Sequence, residues 1–537
     1  MQTRTEELAA SDDLVYLSPE VKIEPLIMRW YAWPHLMAPV QHSLNIAFRH
    51  LPVMQSFVQN PRVHIAATRD PKMFGGPFLS AAEEDVSRIK ALLEETKIQC
   101  ADLIKFGRDF REFAATLLVN AKGFSLLEYY KNVPEMLRGA AELAYNVNNQ
   151  ASVYIIEELL RGGALELRHL EEICLSRVKE TDRPFFMSSP RVRREDDLNL
   201  GLRFDDERID LLAKMRTSPQ PMGKVVKELG LCEESRGKFE RFVTKNSPQS
   251  SDTSYEADGV RVRYFCHACV LLQSKGVSIL IDPLFSFEKG EQKFTIHDLP
   301  DVIDYVVISH GHLDHFCPEM LMQIRHKVKN IIVPANNRGS ISDPSLKLVL
   351  HRLGYADVTT LVSFEKIQFP GGEILSLPFP GEHSELDIQS KQSIQVSLSG
   401  RTFLFLVDSN AIEPQLYTRL ASRVGPIDAL FMGMECHGAP LSWQYGPLMT
   451  QTIVRRDDES RRLDGSDCER ATRIVDAIDC KRVFIYAMGH EKWVRFIVGM
   501  DFDPNSYQVS ESDKFIAVCA DRGIPAERLY GHKELVM

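Results

Sequence analysis

The chain has no apolar run of membrane-spanning length, no cysteine framework and no excess of basic charge. Without about 20 consecutive apolar residues, no helical membrane span is expected. The opening stretch MQTRTEELAASDDL is polar and acidic and lacks the apolar core of a secretory signal. Ten cysteines scattered over 537 residues do not make a disulfide scaffold; they suit a reducing cytoplasm, which is the expected compartment. A formal net charge of -10 disfavours an electrostatic nucleic-acid binder. Neither nucleic acid nor membrane is therefore an expected partner. Phosphate loops and flavin or nicotinamide fingerprints are missing too, so any redox cofactor must be held in another way.

What remains is an ordinary globular composition, 44% hydrophobic and 26% charged. A chain this long exceeds one core, so two or more domains are expected. The Ser-rich stretch from Lys245 to Ser254 reads as a linker. It divides the chain into 1–244, a linker at 245–258, and 259–537. Before it, apolar residues spaced at three and four predict helices over Glu84 to Lys97, Leu103 to Leu118, Glu135 to Asn146 and Val153 to Arg161. Shorter helices are expected from Leu211 to Val243, and an extended piece at Val63 to Ala67. Aromatic clusters at Trp30–Pro34 and Met73–Phe78 read as core or dimer packing.

After the linker, short apolar runs predict strands: Val260 to Phe265, Cys269 to Gln273, Val277 to Ile281, Tyr305 to Ile308, Ile331 to Val333, Ile374 to Phe379, Ile394 to Leu398, Phe403 to Val407, Ala429 to Met432 and Arg482 to Tyr486. Ser274-Lys275-Gly276 reads as a hairpin turn. Helical stretches between several strands indicate a layered α/β fold that gathers its polar residues at one sheet edge.

The densest chemistry is Ser309-His310-Gly311-His312-Leu313-Asp314-His315. Imidazoles and a carboxylate packed so closely repel one another or go unsatisfied unless cations sit among them, and a dinuclear metal centre answers this. Glu382, Asp408 and His490 each follow a strand end. In Pro380-Gly381-Glu382-His383-Ser384, either Glu382 or His383 could complete the first metal. Glu382 would add a hard anionic oxygen that favours iron; His383 would make a zinc pair plausible. Cys266-His267-Ala268-Cys269 has no second pair nearby, so it reads as a strand turn with His267 near the metals. Glu435 also follows a strand and could hydrogen-bond a ligand. The mixed run Arg455–Arg462 reads as a solvated loop, or as a docking face for an acidic carrier through Arg455, Arg456, Arg461 and Arg462. Trp443 and Tyr445 are candidates for a substrate channel.

The Ile281-Asp282-Pro283 strand end, the HxHxDH loop and the isolated Asp408 and His490 resemble the metallo-β-lactamase superfamily, an αββα sandwich. Longer strings bring a closer resemblance, to the family of the diiron β-hydroxylase of chloramphenicol biosynthesis. They include Glu24 to Trp33, Gly75-Gly76-Pro77, Gly381-Glu382-His383, Ser442 to Pro447, Ser460 to Asp467 and Tyr486 to Gly489. The resemblance implies a metallo-β-lactamase catalytic domain behind a mostly helical α+β N-terminal domain that contributes to dimerisation. It implies that His310, His312 and Glu382 hold one iron, that Asp314, His315 and His490 hold the other, and that Asp408 bridges them. The implied reaction is O2-dependent hydroxylation of the β-carbon of an aminoacyl thioester on a peptidyl carrier domain of a nonribosomal peptide synthetase. An external electron donor is then required. The competing readings are a dinuclear zinc hydrolase of a lactone, phosphodiester or thioester, and a non-catalytic docking protein, which an intact ligand set argues against.

Overall fold

The computed structural model describes residues 13–70, 73–248, 252–288, 290 and 293–537. The polar opening stretch up to residue 12 and linker positions 249–251 lie outside them.

Residues 259–537 build two seven-stranded sheets packed face to face. In the first, Val277–Ile281, Ile303–Val307, Val328–Pro334 and Val358–Leu361 run parallel, and Cys269–Ser274, Arg261–Cys266 and Lys533–Val536 continue it antiparallel. The second has the same plan: Arg401–Val407, Ala429–Gly433, Val483–Tyr486 and Ala526–Arg528 are parallel, and an antiparallel meander from Lys366–Phe369 to Ser393–Leu398 flanks them. Strands buried on both faces read as unbroken apolar runs, which explains why they were legible. Val307, Leu272 and Phe405 point into the space between the sheets. Their neighbours Leu404 and Leu430 pack under the helices Gln415–Val424, Cys468–Ala477 and Tyr507–Asp521.

The other outer face is covered differently. Val306, Leu271, Leu280 and Ile331 of the first sheet share one apolar cluster with Leu17, Ile23, Trp30, Leu175 and Phe204 from the N-terminal half. That half therefore serves as the outer layer of the first sheet. It contains a four-stranded sheet, a three-stranded sheet, a hairpin and the long helices Val86–Gln99 and Ala101–Asn120. The Trp30 cluster is core: Trp30, Tyr31 and Trp33 are buried, and Trp30 stacks on His50 at 3.8 Å.

Buried polar ties cross the same boundary. Arg183 donates to Glu24 at 2.7 Å and to Glu319 at 2.5 Å, and the Tyr31 hydroxyl donates to Glu319 at 2.6 Å. Burial alone would raise the Glu24 carboxyl; the Arg191 and Arg183 guanidiniums overcome this and hold it down at about 2. Arg352 donates to Glu171 at 2.7 Å and to the Met37 carbonyl at 2.6 Å. Charges this deep are tolerated because each has its partner.

Three N-terminal expectations are corrected. Val63 to Ala67 is not extended: it lies inside the helix Pro61–Arg69, which starts on a proline whose missing N–H costs nothing there. His64 is buried inside it, taking the Leu79 N–H at 2.9 Å and meeting the Ser56 hydroxyl at 2.9 Å. Those tertiary contacts outweigh β-branched propensity. The helices expected at Glu135 to Asn146 and Val153 to Arg161 are instead a hairpin, Ala141–Tyr145 against Ala151–Ile155, flanked by the short 3-10 turns Glu135–Leu137 and Glu157–Leu160. Asn146 caps the turn by accepting from the N–H groups of Asn148 and Gln150.

Glu157 supplies a test of the seam. It accepts from the Ser345 N–H at 2.9 Å, and burial pushes its carboxyl from 4.5 up to about 7. The folded chain then holds a proton that the unfolded chain has released. The resulting stability is complete below pH 4.5 and is lost as pH rises through about 7. Glu157→Gln should therefore be more stable than the parent at about pH 8, by on the order of 2 kcal/mol, and nearly equal to it at about pH 5. Chemical denaturation at the two pH values checks this.

Candidate metal centre

The HxHxDH loop begins where the central strand Ile303–Val307 ends. Its shape is set from the next strand. Asp282, one residue beyond Val277–Ile281, is fully buried and held at φ +41°. Its carboxylate accepts from the Ser309 N–H at 2.7 Å and the Ser309 hydroxyl at 2.6 Å, and contacts His315 Nδ1 at 2.9 Å. Ser309 Oγ also lies 2.9 Å from His310 Nδ1. One carboxylate thus orients two imidazoles, turning Nε2 of each inward. Asp282 was noted in the sequence only as part of a strand end. Its role was visible there in principle, because a lone acid directly after an apolar run is costly without partners.

Two groups of donor atoms result, with Asp408 between the metals' expected places. In the first, His310, His312, Glu382 and His383 come together. Glu382 Oε1 is 2.6 Å from His312 Nδ1, and Glu382 Oε2 is 2.7 Å from His383 Nδ1 and 3.9 Å from His310 Nε2. The sequence offered Glu382 or His383; the structure brings both in. In the second, His267, Asp314 and His315 meet: His267 Nε2 is 3.1 Å from Asp314 Oδ2 and 3.2 Å from His315 Nε2. Asp408 Oδ2 lies 2.9 Å from His315 Nε2 and 3.7 Å from His310 Nε2.

His490 is not in these groups. Gly489 turns the chain at φ +68°, and the His490 ring packs on Tyr530 at 5.0 Å and faces Phe502. The next residue, Glu491, points inward, taking the His267 N–H at 3.2 Å and the Tyr264 hydroxyl. His267, expected only nearby, stands in the second donor group, and His490 Nδ1 is buried without a hydrogen-bond partner. No sequence spacing reveals the placement of His267, because it follows from a left-handed backbone at that residue.

Electrostatics at the centre are those of charge held out of water. Burial, together with His315 and His312, keeps His310 well below its ordinary value. Burial also opposes protonation of His315, but Asp408 and Asp314 outweigh it and push that imidazole well up. At Glu382 and Asp314 burial would raise the carboxyls, yet the neighbouring imidazoles hold both well below the usual range. Among the described residues, His310 Nε2 and Asp408 Oδ1 are buried and make no hydrogen bond. Buried donors without partners, aimed at three carboxylates, fit a pair of hard cations.

A chamber of about 70 Å³ leads to Glu382, Asp408 and Asp314, with Phe185, Phe186, Trp443 and Ile497 forming its apolar side. Glu435 faces it, and burial with the charges of Asp408 and Asp314 pushes its carboxyl well up. Trp443 is thus a chamber wall. Tyr445 is not: its hydroxyl lies 3.4 Å from His312 Nε2, behind the ligand. The Gly75-Gly76 motif meets this wall, since a Cβ on Gly75 would sit 2.8 Å from both the Gly499 carbonyl and the Trp443 ring.

Comparison with known proteins agrees with this geometry. Residues 16–247 match the diiron non-heme beta-hydroxylase N-terminal domain, and residues 261–378 match the beta-lactamase superfamily domain. The chain is 31% identical to the 4-amino-L-phenylalanyl-[CmlP-peptidyl-carrier-protein] 3-hydroxylase of Streptomyces venezuelae, over 97% of this chain and 99% of that protein. It superimposes on the crystal structure of CmlA, a diiron beta-hydroxylase from Streptomyces venezuelae, with TM-score 0.91 at 31% identity, covering 98% of this chain and 100% of that one. A CmlA beta-hydroxylase mutant superimposes with TM-score 0.89, covering 97% of this chain.

The Asp282 clasp should control metal retention. Asp282→Asn replaces one accepting oxygen by a donor, so the Ser309 and His315 contacts cannot all persist. Affinity for iron should fall by about 10–100-fold with the fold intact. Iron retained after dialysis against a chelator, alongside circular dichroism, measures both.

Proposed function

The chain belongs to the diiron non-heme β-hydroxylases, and from that membership we propose that it hydroxylates the β-carbon of an amino acid held as a thioester on a peptidyl carrier domain during natural-product biosynthesis. The enzyme is a diiron monooxygenase with O2 as co-substrate. The observation that carries the proposal is Glu382, placed against His310 and His312 where a hydrolytic zinc site would have only imidazoles. With Asp314 and Asp408 it gives three carboxylates, a donor set that suits iron in its higher oxidation state.

In this reading His310, His312 and Glu382 would hold one iron, with His383 packed against Glu382. Asp314 and His315 would hold the other, with His267 beside them and Asp408 lying between the two groups. Irons held there would supply electrons to O2. The remaining work belongs to the chain. Phe185, Phe186 and Trp443 exclude water and position the β-carbon. Glu435 can hold or give a proton at the chamber wall. The exposed helix Arg455–Ser460 offers Arg455 and Arg456 to an acidic carrier. The enzyme works with an external electron donor, and as a homodimer.

His383, in the first donor group, is the feature that favours a dinuclear zinc hydrolase, and metal content separates the readings. Purified protein should carry two irons per chain. After anaerobic reduction, mixing with an aminoacyl-carrier conjugate and O2 should add one oxygen atom by intact mass. Two zincs, with thioester cleavage and no added oxygen, would overturn the proposal. Glu382→Ala should lose iron from the first position and all hydroxylation.

A further inference from the structure

A second cavity, of about 270 Å³, reaches Glu382 and His383 from the side away from Phe185 and Trp443. It shares with that chamber only Glu382. Its walls are cationic: Lys391, Arg461, Arg462 and Arg470. Each of these is bonded to neutral carbonyls. Lys391 Nζ reaches the Gly381 carbonyl at 3.4 Å, and Arg461 forks onto the Ser384 carbonyl at 2.8 and 3.1 Å. Arg462 Nε donates to the Gly438 carbonyl at 2.7 Å, and Arg470 to the Gly465 carbonyl at 3.5 Å. Carbonyl dipoles orient these cations without cancelling their charge. The opposing acids are Glu385, Asp464 and Glu382 on the wall itself, with Asp343 and Asp387 acting on Lys391 from behind it and Asp467 lying 4.0 Å behind Arg470. Asp464 accepts from the Gly438 N–H at 3.2 Å and keeps its charge, whereas Glu382 lies among the donors of the first metal group, where cations would offset it. Two buried polar atoms on the wall, Ser384 Oγ and Asn410 Oδ1, have no hydrogen-bond partner.

We infer that this cavity receives a small anionic electron donor. The inference rests on the hydroxylase reading, because that reaction consumes one O2, two electrons and two protons to leave C–OH and one water, and the electrons must come from outside. A donor in this cavity touches the edge of a metal ligand without displacing substrate from the other chamber. With Glu382 offset by the metals, four cations face Glu385 and Asp464 on its wall, a balance that favours an anion, and its volume is that of a small molecule, not of a protein surface. The phosphate of a carrier arm does not fit here: it lies a whole arm's length from its thioester, whereas this cavity ends at Glu382.

The test is stopped-flow reduction of the diferric protein, with iron content measured first. Ascorbate is the anionic donor and hydroquinone the neutral one. In the Arg462→Gln, Arg470→Gln double variant, reduction by ascorbate should slow about tenfold or more and reduction by hydroquinone should hold. Inorganic phosphate should compete with ascorbate in the parent and not in the variant. A calorimetric phosphate titration that is lost in the variant gives the same answer without turnover. Equal effects on both donors, or none, overturn the inference. Protein without iron overturns the hydroxylase reading instead, and the phosphate titration still decides whether the cavity takes anions.

Discussion

The constraint on which this molecule turns is buried charge. Glu382, Asp314 and Asp408 are ionisable acids withdrawn from water beside five imidazoles. Dehydrating even one carboxylate is expensive, and three can be kept only if compensating positive charge is built in among them. The rest of the catalytic half is arranged to hold that compensation in place. One parallel strand of each sheet delivers donors at its end: the loop from Ser309 to His315 after Ile303–Val307, and Asp408 after Arg401–Val407.

Rigidity at that edge comes from residues that touch no metal. Asp282 fixes Ser309 and His315 together, and Glu491 fixes the turn that carries His267. Several residues at this edge carry backbone strain. Asp282, His267, Glu382 and Val407 all sit at positive φ without being glycine. Such strain persists only where surrounding contacts over-determine it, and here the contacts are the buried hydrogen bonds themselves.

This division explains what could be read in advance. Strands were legible because burial on both faces leaves apolar runs such as Ile303–Val307, which no helix pattern imitates at that length. The HxHxDH loop was legible because its donors are contiguous. Glu382 and Asp408 were legible only as acids at strand ends. That His267 joins the second donor group was hidden, since a left-handed backbone at a single residue decides which side chain faces inward. In the N-terminal half, Ala141–Tyr145 and Ala151–Ile155 looked helical because Leu143, Val153 and Ile155 satisfy both periods over so short a stretch. Pro61–Arg69 looked extended because its β-branched residues carry strand propensity that contacts with Ser56 and Leu79 override.

The apolar cluster shared between the N-terminal layer and the first sheet bears on how the chain is made. A ribosome releases Leu17, Ile23, Trp30 and Leu175 long before Val306 and Ile331, the surface they cover. Until the second half is synthesised, the first presents an open apolar face to solvent. Maturation is therefore a late event with respect to translation, and the waiting polypeptide is a natural client for chaperones that shield nascent chains.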